Sequence, residues 1–520
     1  MKKIATALLS CALAAATLAG CAANAAQVPQ ESQEPHTAAL TATAAASVKS
    51  PKYVFLFIGD GMSYPQIQST SDYLGALKDA DYWQAQPSLD DNQGAILDGP
   101  EYLNFMNFEA AGSAVTYDSN SFAPDSASTA TSISTGHKTY SGSINVDESG
   151  TIEYETIAEQ LKAQKGWEIG VITSVNLNHA TPAAFYAHQA SRSSYYEIGL
   201  ELVESGFDYF AGGGLLKPTG SSGDQTDLYE LAQEAGYTVA KTHAEADAIG
   251  TNTEKAIIID EDLADSDAMA YELDRTDDMW ALADYVAKGI EVLDNDTGFF
   301  MMCEGGKIDW ACHANDAASS IHDTQALADA VQVAIDFAKE HADETLILVT
   351  GDHETGGLTI GFAGTDYDTY LDLLENQKIS FAKYDSDYVA SYKANKPPFG
   401  TVLADIEKLF GLKAQGEEGD KLVLTAYEME QLRAAYEKSI NGTASSQYDQ
   451  AEYVLYGTYE PLSVTITHII NNKSGISFTS YSHTGLPVAV LAEGAGSEMF
   501  NGYYDNTDIY NKLADLLNIA

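Results

Sequence analysis

Basic residues are scarce in this sequence. Its 520 residues include 27 lysines and arginines against 76 aspartates and glutamates, which gives a formal net charge of −49. Binding to a nucleic-acid backbone needs a basic surface, so this composition argues against nucleic-acid binding as the main role. We expect most of the carboxylates to form a solvated acidic surface, which favours solubility and repels phosphorylated molecules at long range.

Cysteine is also rare, with four in the whole chain. Cys11 and Cys21 lie in the N-terminal segment, which leaves Cys303 and Cys312 for the body of the protein. An exported protein could join these two in a disulfide. We favour the alternative, in which they are two separately buried thiols.

The first hydrophobic run is too short to cross a membrane. Lys2 and Lys3 precede an apolar stretch at 4–16, a pattern typical of a secretion signal rather than of a spanning helix. The sequence LAGC at 18–21 resembles the bacterial lipobox, in which the cysteine is lipidated and becomes the new N-terminus. An ordinary cleaved signal is the alternative.

The segment that follows is rich in Ala, Thr, Ser and Gln, and this composition predicts a flexible tether. We therefore interpret residues 1–20 as a lipoprotein signal peptide and 21–50 as the lipidated Cys21 with its tether. The protein is then expected to be exported and anchored to a membrane, in the periplasm or at the cell surface.

Short apolar runs alternate with helical patterns over residues 51–520. The runs are typical of buried parallel strands and lie at 53–58, 169–175, 207–210, 256–259, 299–303, 346–349 and 488–491. Their alternation predicts an α/β fold, with a doubly wound, mostly parallel central sheet flanked by helices. The length would allow about three domains, but the candidate site draws on residues from 60 to 483, so we predict a single domain.

Several local predictions concern the segments between the strands. Residues 72–112 are interpreted as loop plus a short helix. One helix is predicted from Pro182 through Arg192 towards Glu204, and a long helix from Asp309 to about Lys339. Residues 362–479 break the pattern and are interpreted as an insertion. It would cover the active-site mouth or wrap a second subunit, and its tyrosines would form an interface or merely local core.

Potential metal ligands follow four of the predicted strands, namely Asp60, His179, Glu304 and Asp352. Ligands of open α/β sheets bind beyond the carboxyl ends of the strands, so we expect these four side chains to converge. The glycines on both sides of Asp60 permit a tight turn and a close approach to a ligand.

Three histidines extend this set. His313 lies four residues after Asp309 at a helix start, so both side chains project from one face. His353 directly follows a potential ligand, and His483 precedes the last predicted strand. Carboxylate and imidazole groups with few thiols suit Zn²⁺ in catalytic sites.

A serine stands at the start of another predicted helix. Ser126 lies in PDSASTAT at 124–131, where the free N–H groups and the dipole of the helix favour an anion. Its neutral hydroxyl is a weak nucleophile that needs a base or a metal for activation.

Taken together, these motifs resemble the alkaline phosphatase family. They are IGDGM at Asp60, PDSASTAT at Ser126, HATPAA followed by Arg192, EGGKID followed by His313, GDHETGG at His353 and SHTG at His483. They occur in the family's order and cover about residues 52–360 and 480–520.

The resemblance implies roles for these residues. Ser126 would be the nucleophile that forms a phosphoserine intermediate, and Arg192 would hold two phosphate oxygens with its planar fork. In-line displacement at phosphorus suits two metals about 3.5–4 Å apart, with an arginine on the equatorial charge. The implied ligands are Asp309, His313 and His483 for one Zn²⁺; Asp60, Asp352 and His353 for a second; and Asp60, Thr181 and Glu304 for Mg²⁺, which prefers oxygen.

The sequence departs from the best-known bacterial pattern of the family at two positions. His179 stands where that pattern has Asp, which would weaken or alter Mg²⁺ binding. Trp310 stands where the pattern has Lys, and it cannot bridge to phosphate through water as a lysine can. Asp125 either positions Arg192 or caps the serine helix. The histidines without matching ligand partners are interpreted as structural: His137, His188 and His243.

The function that the resemblance implies is hydrolysis of small phosphate monoesters by an exported, lipid-anchored enzyme of broad specificity, typically a homodimer. Relatives reuse the same two-metal core for phosphodiesters or sulfate esters, which is one alternative. The other is a catalytically silent surface lipoprotein that binds metal or phosphate. Intact Ser126 and Arg192 favour an enzyme.

Overall fold

The computed structural model describes residues 50–79, 82, 96–442 and 444–519. The predicted signal peptide, Cys21 and nearly all of the tether lie outside the described residues, as does part of the segment 72–112. No helix in the described part of the chain is both long and apolar enough to cross a membrane.

A ten-stranded, mostly parallel sheet forms the centre of the structure. Its strand order is β14-β2-β13-β8-β1-β7-β3-β4-β6-β5, and β13 is antiparallel to both of its neighbours. Two short pairs, β9 with β12 and β10 with β11, lie outside it. The strands are β1 (Tyr53–Gly59), β2 (Ala110–Val115), β3 (Glu168–Asn176), β4 (Tyr209–Gly213), β5 (Thr238–Ala240), β6 (Ala256–Ile259), β7 (Phe299–Gly305), β8 (Thr345–Gly351), β9 (Glu354–Thr355), β10 (Thr359–Ile360), β11 (Ile476–Ser477), β12 (His483–Thr484), β13 (Val488–Gly494) and β14 (Gly502–Asp505).

Helices cover both faces of this sheet, which confirms the predicted fold class. They are α1 (Tyr64–Lys78), α2 (Ser126–Thr135), α3 (Ile157–Lys165), α4 (Ala180–Ala183), α5 (Tyr195–Ser205), α6 (Leu228–Glu234), α7 (His243–Asp247), α8 (Leu282–Leu293), α9 (Lys307–His313), α10 (Ala317–Glu340), α11 (Phe381–Tyr384), α12 (Ala390–Asn395), α13 (Phe399–Phe410), α14 (Ala426–Asn441), α15 (Gln450–Tyr456), α16 (Pro461–Ser474) and α17 (Thr507–Leu517).

Strand β1 shows how the sheet is buried on both faces. Alternate side chains of a strand point to opposite faces. Val54 and Leu56 accordingly join a hydrophobic cluster with α2 and α17, whereas Phe55 and Phe57 join the cluster under α8 and α10. A continuous apolar run is therefore needed, and the sequence supplies one.

The register of the central strands brings their carboxyl ends to one level. Gly59 at the end of β1 pairs with Gly305 of β7 and with Gly351 of β8. A side chain at Gly351 would clash with the Met62 carbonyl, because a Cβ there would lie 1.8 Å from that oxygen. The loops after these strands therefore meet at one edge of the sheet.

The helix predicted from Asp309 to Lys339 is wrong in one respect, since it is two helices. α9 ends at His313 and α10 begins at Ala317, and Asn315 between them has a left-handed φ of 53°. Asp316 caps α10 by accepting from the Ser319 N–H at 3.0 Å. Asn-Asp is a helix-start signal that outweighs the helical periodicity here.

The helix predicted from Pro182 through Arg192 is also wrong. α4 ends at Ala183 and α5 starts at Tyr195, so Arg192 lies in the intervening loop. Its N–H donates to the Gly142 carbonyl at 2.7 Å. Serines on both sides of Arg192 favour such local loop structure over a continuous helix.

The segment 72–112 also differs from its prediction. α1 is a full helix, and the segment ends in β2 (AAGSAV), a strand of small residues without an apolar run. Pairing with β13 and β14 places β2 in the sheet, where tertiary context overrides weak β propensity.

The insertion has its own hydrophobic cluster. Tyr384, Tyr392 and Tyr436 are buried in it, so these tyrosines form local core, one of the two alternatives predicted. The same cluster includes side chains of α1 and the first turn of α10, which attach the insertion to the sheet domain near the carboxyl ends of the strands.

The two body cysteines do not form a disulfide. Cys303 in β7 and Cys312 in α9 are free and buried, as predicted. Burial raises the pKa of both thiols, so both stay protonated.

Candidate active site

Ser126 lies at the first position of α2, where it faces two potential ligands. Its Oγ is 3.3 Å from Asp60 Oδ1 and 3.1 Å from His353 Nε2. Asp125 is the N-cap of the helix, and Ser126 is 1% exposed. Asp60 therefore lies beside Ser126, although the two residues are 66 positions apart in the chain.

Asp60, Asp352 and His353 form the first ligand group, and all three are fully buried. Their ligand atoms lie within 4.8 Å of one another. A left-handed turn at Gly61, with φ +71°, directs its N–H to Asp352 Oδ1 at 3.1 Å. β1 and β8 thus deliver two carboxylates to one point.

The pKa values of Asp352 and His353 in this group are both shifted upwards. Burial and the neighbouring Asp60 carboxylate raise the pKa of Asp352 to about 8. Burial opposes a charged His353, but Asp352 and Asp60 together raise its pKa to about 10. The carboxylates therefore attract positive charge into a space that excludes water.

Asp309, His313 and His483 form the second group. His313 Nε2 lies 3.3 Å from Asp309 Oδ2, and His483 Nε2 lies 3.6 Å from Asp309 Oδ1. The pairing of β12 with β9 sets His483 opposite Thr355, and its ring stacks on that of His353 with centroids 3.7 Å apart. The distant SHTG motif is thereby joined to the site.

The two imidazoles of this second group face each other through their Nε2 atoms, 3.0 Å apart. His313 Nδ1 lies 2.6 Å from the Tyr481 carbonyl, and His483 Nδ1 lies 2.6 Å from the Pro124 carbonyl. A neutral histidine that donates from Nδ1 has its lone pair on Nε2. Two lone pairs and a carboxylate directed at one point fit a cation.

A third group lies beside the first and shares Asp60. Thr181 Oγ1 lies 3.3 Å from Asp60 Oδ2, and the ligand atoms of Asp60, His179 and Glu304 lie within 4.8 Å of one another. Glu304 Oε1 and His179 Nδ1 are buried without a hydrogen-bond partner among the described residues. Such orphaned polar atoms fit a ligand that the protein atoms do not supply.

Arg192 reaches this site from its loop and is held by Asp125. Arg192 Nη1 donates to Asp125 Oδ2 at 2.9 Å, and Nη2 lies 3.3 Å from His179 Nε2. Asp125 Oδ1 also accepts from the Ser128 N–H at 3.1 Å, so Asp125 both positions the arginine and caps α2. Trp310 sets its ring edge-on to His179, with centroids 5.9 Å apart.

Three threonines at the site were not predicted. Thr129 Oγ1 donates to Asp352 Oδ2 at 3.1 Å, Thr355 Oγ1 donates to Asp309 Oδ1 at 2.5 Å, and Thr173 bonds to Glu304. Thr129 is three residues after Ser126 in the helix, so its presence on that face could have been read from the sequence. Thr173 gives no comparable signal.

A cavity of about 380 Å³ opens above Ser126. Its polar floor includes Arg192, His313 and His483, and its wall carries four aromatic residues, namely Tyr271, Trp310, Phe381 and Tyr459. Two of these, Phe381 and Tyr459, come from the insertion, so part of that segment lines the cavity.

One histidine interpreted as structural has potential ligands beside it. His243, Asp260 and Asp262 bring their ligand atoms within 4.8 Å of one another. The ring of His243 stacks on Trp280 with centroids 5.3 Å apart, and the Tyr285 hydroxyl donates to Asp260 at 3.0 Å. The prediction that His243 lacks ligand partners is therefore wrong, and its buried Nε2 has no hydrogen-bond partner among the described residues.

Comparison with known proteins gives the family. The family model described as alkaline phosphatase matches residues 51–519. This chain belongs to the alkaline phosphatase family. It is 30% identical over 473 residues to alkaline phosphatase 4 of Bacillus subtilis (strain 168), which covers 89% of this chain and 88% of that relative.

Solved structures of the family agree with this assignment. The cold-active alkaline phosphatase of a Shewanella species is 28% identical, with a TM-score of 0.69 over 89% of this chain and 99% of that one. A variant of the TAB5 alkaline phosphatase is 25% identical, with a TM-score of 0.60 over 91% of this chain and 99% of that one, and it has Mg bound in its M3 site. Family and fold together identify a metal-dependent phosphatase and support hydrolysis of phosphate monoesters.

The contact between Asp125 and Arg192 generates a prediction about phosphate affinity. Asp125→Asn keeps one oxygen for the Ser128 N–H, but its amide cannot accept from the guanidinium. Loss of this charged hydrogen bond should raise the inhibition constant of inorganic phosphate about tenfold. Competitive inhibition assays measure the change.

A matched control is Asp227→Asn. Asp227 caps α6 by accepting from the Tyr229 N–H at 2.8 Å, and we expect this variant to keep the wild-type inhibition constant. An unchanged constant in Asp125→Asn would show that Asp125 serves only as a cap.

Proposed function

We propose that this protein hydrolyses phosphate monoesters through a phosphoserine intermediate on Ser126. The observation that carries the proposal is the position of Ser126 Oγ, 3.3 Å from Asp60 Oδ1 and 3.1 Å from His353 Nε2, at the base of a cavity that also contains Arg192. A buried serine with no other task at this point is suited to nucleophilic attack.

The proposed metals are two Zn²⁺ and one Mg²⁺. When bound, they would lower the pKa of the serine hydroxyl and of water and stabilise charge on the leaving oxygen. Histidine-rich groups suit Zn²⁺, and the oxygen ligands of the third suit Mg²⁺, although His179 adds a nitrogen there. The proposed ligands are Asp309, His313 and His483 for one zinc; Asp60, Asp352 and His353 for the other; and Asp60, Thr181 and Glu304 for Mg²⁺.

The residues of the chain divide the reaction between them. Ser126 Oγ loses its proton and forms a bond to phosphorus as the bond from phosphorus to the alcohol oxygen breaks. The departing alcohol takes up a proton, which balances the one that the serine loses. Arg192 holds two of the remaining phosphate oxygens, fixed in this orientation by Asp125. Water then attacks the phosphoserine, which releases inorganic phosphate and restores the Ser126 hydroxyl.

Monoesters fit this arrangement better than diesters. In a bound monoester, Arg192 and the third ligand group would face phosphate oxygens, one of which carries a second alcohol in a diester. Turnover of 4-nitrophenyl phosphate against bis(4-nitrophenyl) phosphate measures this preference. Faster turnover of the diester would refute the monoester proposal, and no turnover of either would leave a binding protein.

Ser126→Ala tests the nucleophile. The variant lacks the attacking oxygen, so labelled substrate should leave no acid-stable phosphate on the protein, and kcat should fall at least about a thousandfold. Rapid acid quenching followed by counting of the protein-bound label measures the intermediate.

Ser132→Ala is the matched control in the same helix. Ser132 is buried, and its hydroxyl donates to the Ser128 carbonyl at 3.0 Å rather than facing a metal-ligand group. We expect normal labelling in this variant. Equal labelling in Ser126→Ala would remove Ser126 from the proposed role.

Metal content tests the cofactors. Treatment with a chelator should abolish activity. Added Zn²⁺ should restore it, because the cation that stabilises negative charge on the leaving oxygen is then present again. Elemental analysis should find zinc in the untreated protein and less of it in His483→Ala. His137→Ala should retain all of its zinc, since His137 stacks on Tyr154 instead, with centroids 4.2 Å apart. A fully active, metal-free preparation would contradict the assignment.

We also propose that the protein is exported and anchored through a lipid on Cys21, and that it forms a homodimer. The LAGC sequence and the tether composition support the anchor. Labelled palmitate should enter the wild-type protein but not Cys21→Ala, whereas Cys11→Ala should remove no label from the mature protein. Label in Cys21→Ala would exclude this anchor, and sedimentation of a monomer would exclude the dimer.

A further inference from the structure

The aromatic wall of the cavity is not used by the proposed chemistry. Phe381 is the first residue of α11, and Tyr459 lies in the turn between α15 and α16, so both belong to the insertion. Their rings meet edge to face with centroids 5.9 Å apart. Both side chains are half-buried and retain surface towards the cavity.

The other two rings of the wall, those of Tyr271 and Trp310, both contact the ammonium group of Lys307. Lys307 is fully buried, and its Nζ lies 4.6 Å from the Trp310 ring and 4.2 Å from the Tyr271 ring. The same Nζ bonds to Asp265 at 2.5 Å. Trp310 and Tyr271 therefore bracket a neutralised cation, whereas the ring contacts of Phe381 and Tyr459 in the described part of the chain are with other aromatic rings.

The rings of Phe381 and Tyr459 are both held in place by neighbouring residues. The Phe381 N–H donates to Asp316 Oδ2 at 2.9 Å, and its ring packs on Tyr271 with centroids 5.7 Å apart. Tyr459 stacks on Tyr481, whose hydroxyl donates to the Leu455 carbonyl at 2.6 Å. A surface fixed in this way loses little conformational entropy when a ligand binds.

The aromatic wall lies near the ligand group of His313, which is not the group that contacts Ser126. Ser126 Oγ contacts the group of Asp60 and His353, and in-line displacement sends the leaving oxygen away from the attacking one. Tyr481, which supports Tyr459, holds His313 of the other group through its carbonyl. The wall therefore stands on the side from which the alcohol departs.

We propose that Phe381 and Tyr459 form a leaving-group subsite that binds a planar aromatic ring, so that the enzyme prefers monoesters such as nucleoside monophosphates. Stacking on aromatic side chains tolerates any flat ring and discriminates against alcohols without one. This inference rests on the proposed function, because it names a substrate class for that same cavity.

The test compares two substrates that differ at C1′ of the ribose, where one has a planar base and the other a hydroxyl. Adenosine 5′-monophosphate and ribose 5-phosphate have the same ester linkage, so the ratio of their kcat/KM values isolates the contribution of the base. We expect the wild type to favour the nucleotide. In Phe381→Leu and in Tyr459→Leu this ratio should fall about tenfold, chiefly through a higher KM for the nucleotide.

Two controls separate stacking from structure. Tyr459→Phe keeps the ring and should keep the wild-type ratio. Tyr427→Leu removes a tyrosine of the insertion that is 69% exposed on α14 and lies outside the cavity, and it should also keep the ratio. Turnover of ribose 5-phosphate shows that each variant is folded and active.

The outcomes are distinct. Hydrolysis of both substrates with a ratio that Phe381→Leu and Tyr459→Leu leave unchanged would overturn the subsite while the proposed function stands. No hydrolysis of either substrate by the wild type would instead overturn the proposed function. A fall in both kcat/KM values by the same factor in the leucine variants would show a structural role and would also refute the subsite.

Discussion

Burial of several carboxylates at one edge of the sheet is the constraint on which the site depends. Asp60, Glu304 and Asp352 are fully buried and lie close together. Burial and the Asp60 charge raise the pKa of Asp352 to about 8 and that of Glu304 well above its usual range. Buried carboxylates this close together are neutralised either by protonation or by a bound cation, so metal binding would be linked to folding.

The register of the central strands fixes these carboxylates close to one another. β1, β7 and β8 pair in register up to Gly59, Gly305 and Gly351, so the carboxylates cannot separate without breaking the central ladder. Hydroxyls reduce the cost: Thr129 donates to one carboxylate and Thr173 to another. A rigid support of this kind keeps ligands in place before the metals bind.

The insertion contributes in a different way. Its hydrophobic cluster packs on α1 and α10, close to the carboxyl ends of the strands. This attachment directs two aromatic side chains into the cavity without supplying a metal ligand. Variation in such a segment changes the surroundings of the leaving group and leaves the core chemistry intact.

Local context explains the local errors. Periodicity predicted one helix after Asp309, but the cap at Asp316 and the left-handed Asn315 divide it. That break lets Asn315 donate to the Ser480 carbonyl at 2.8 Å, near the segment that contains His483. The sequence does not predict β2 because its small residues form no apolar run, and its pairing with β13 and β14 identifies it.

The sequence by itself determined the fold class and the family, because apolar strands and glycine turns leave strong local patterns. It also named the candidate ligands, which the structure brings together in three groups. For the body cysteines it favoured two free thiols over a disulfide, and the structure confirmed that preference. Only the tertiary structure decided that Asp125 both caps α2 and holds Arg192, that Thr173 supports Glu304, and that Phe381 and Tyr459 line the same cavity as Ser126. These contacts join residues remote in the chain, and no local pattern encodes which distant surfaces will meet.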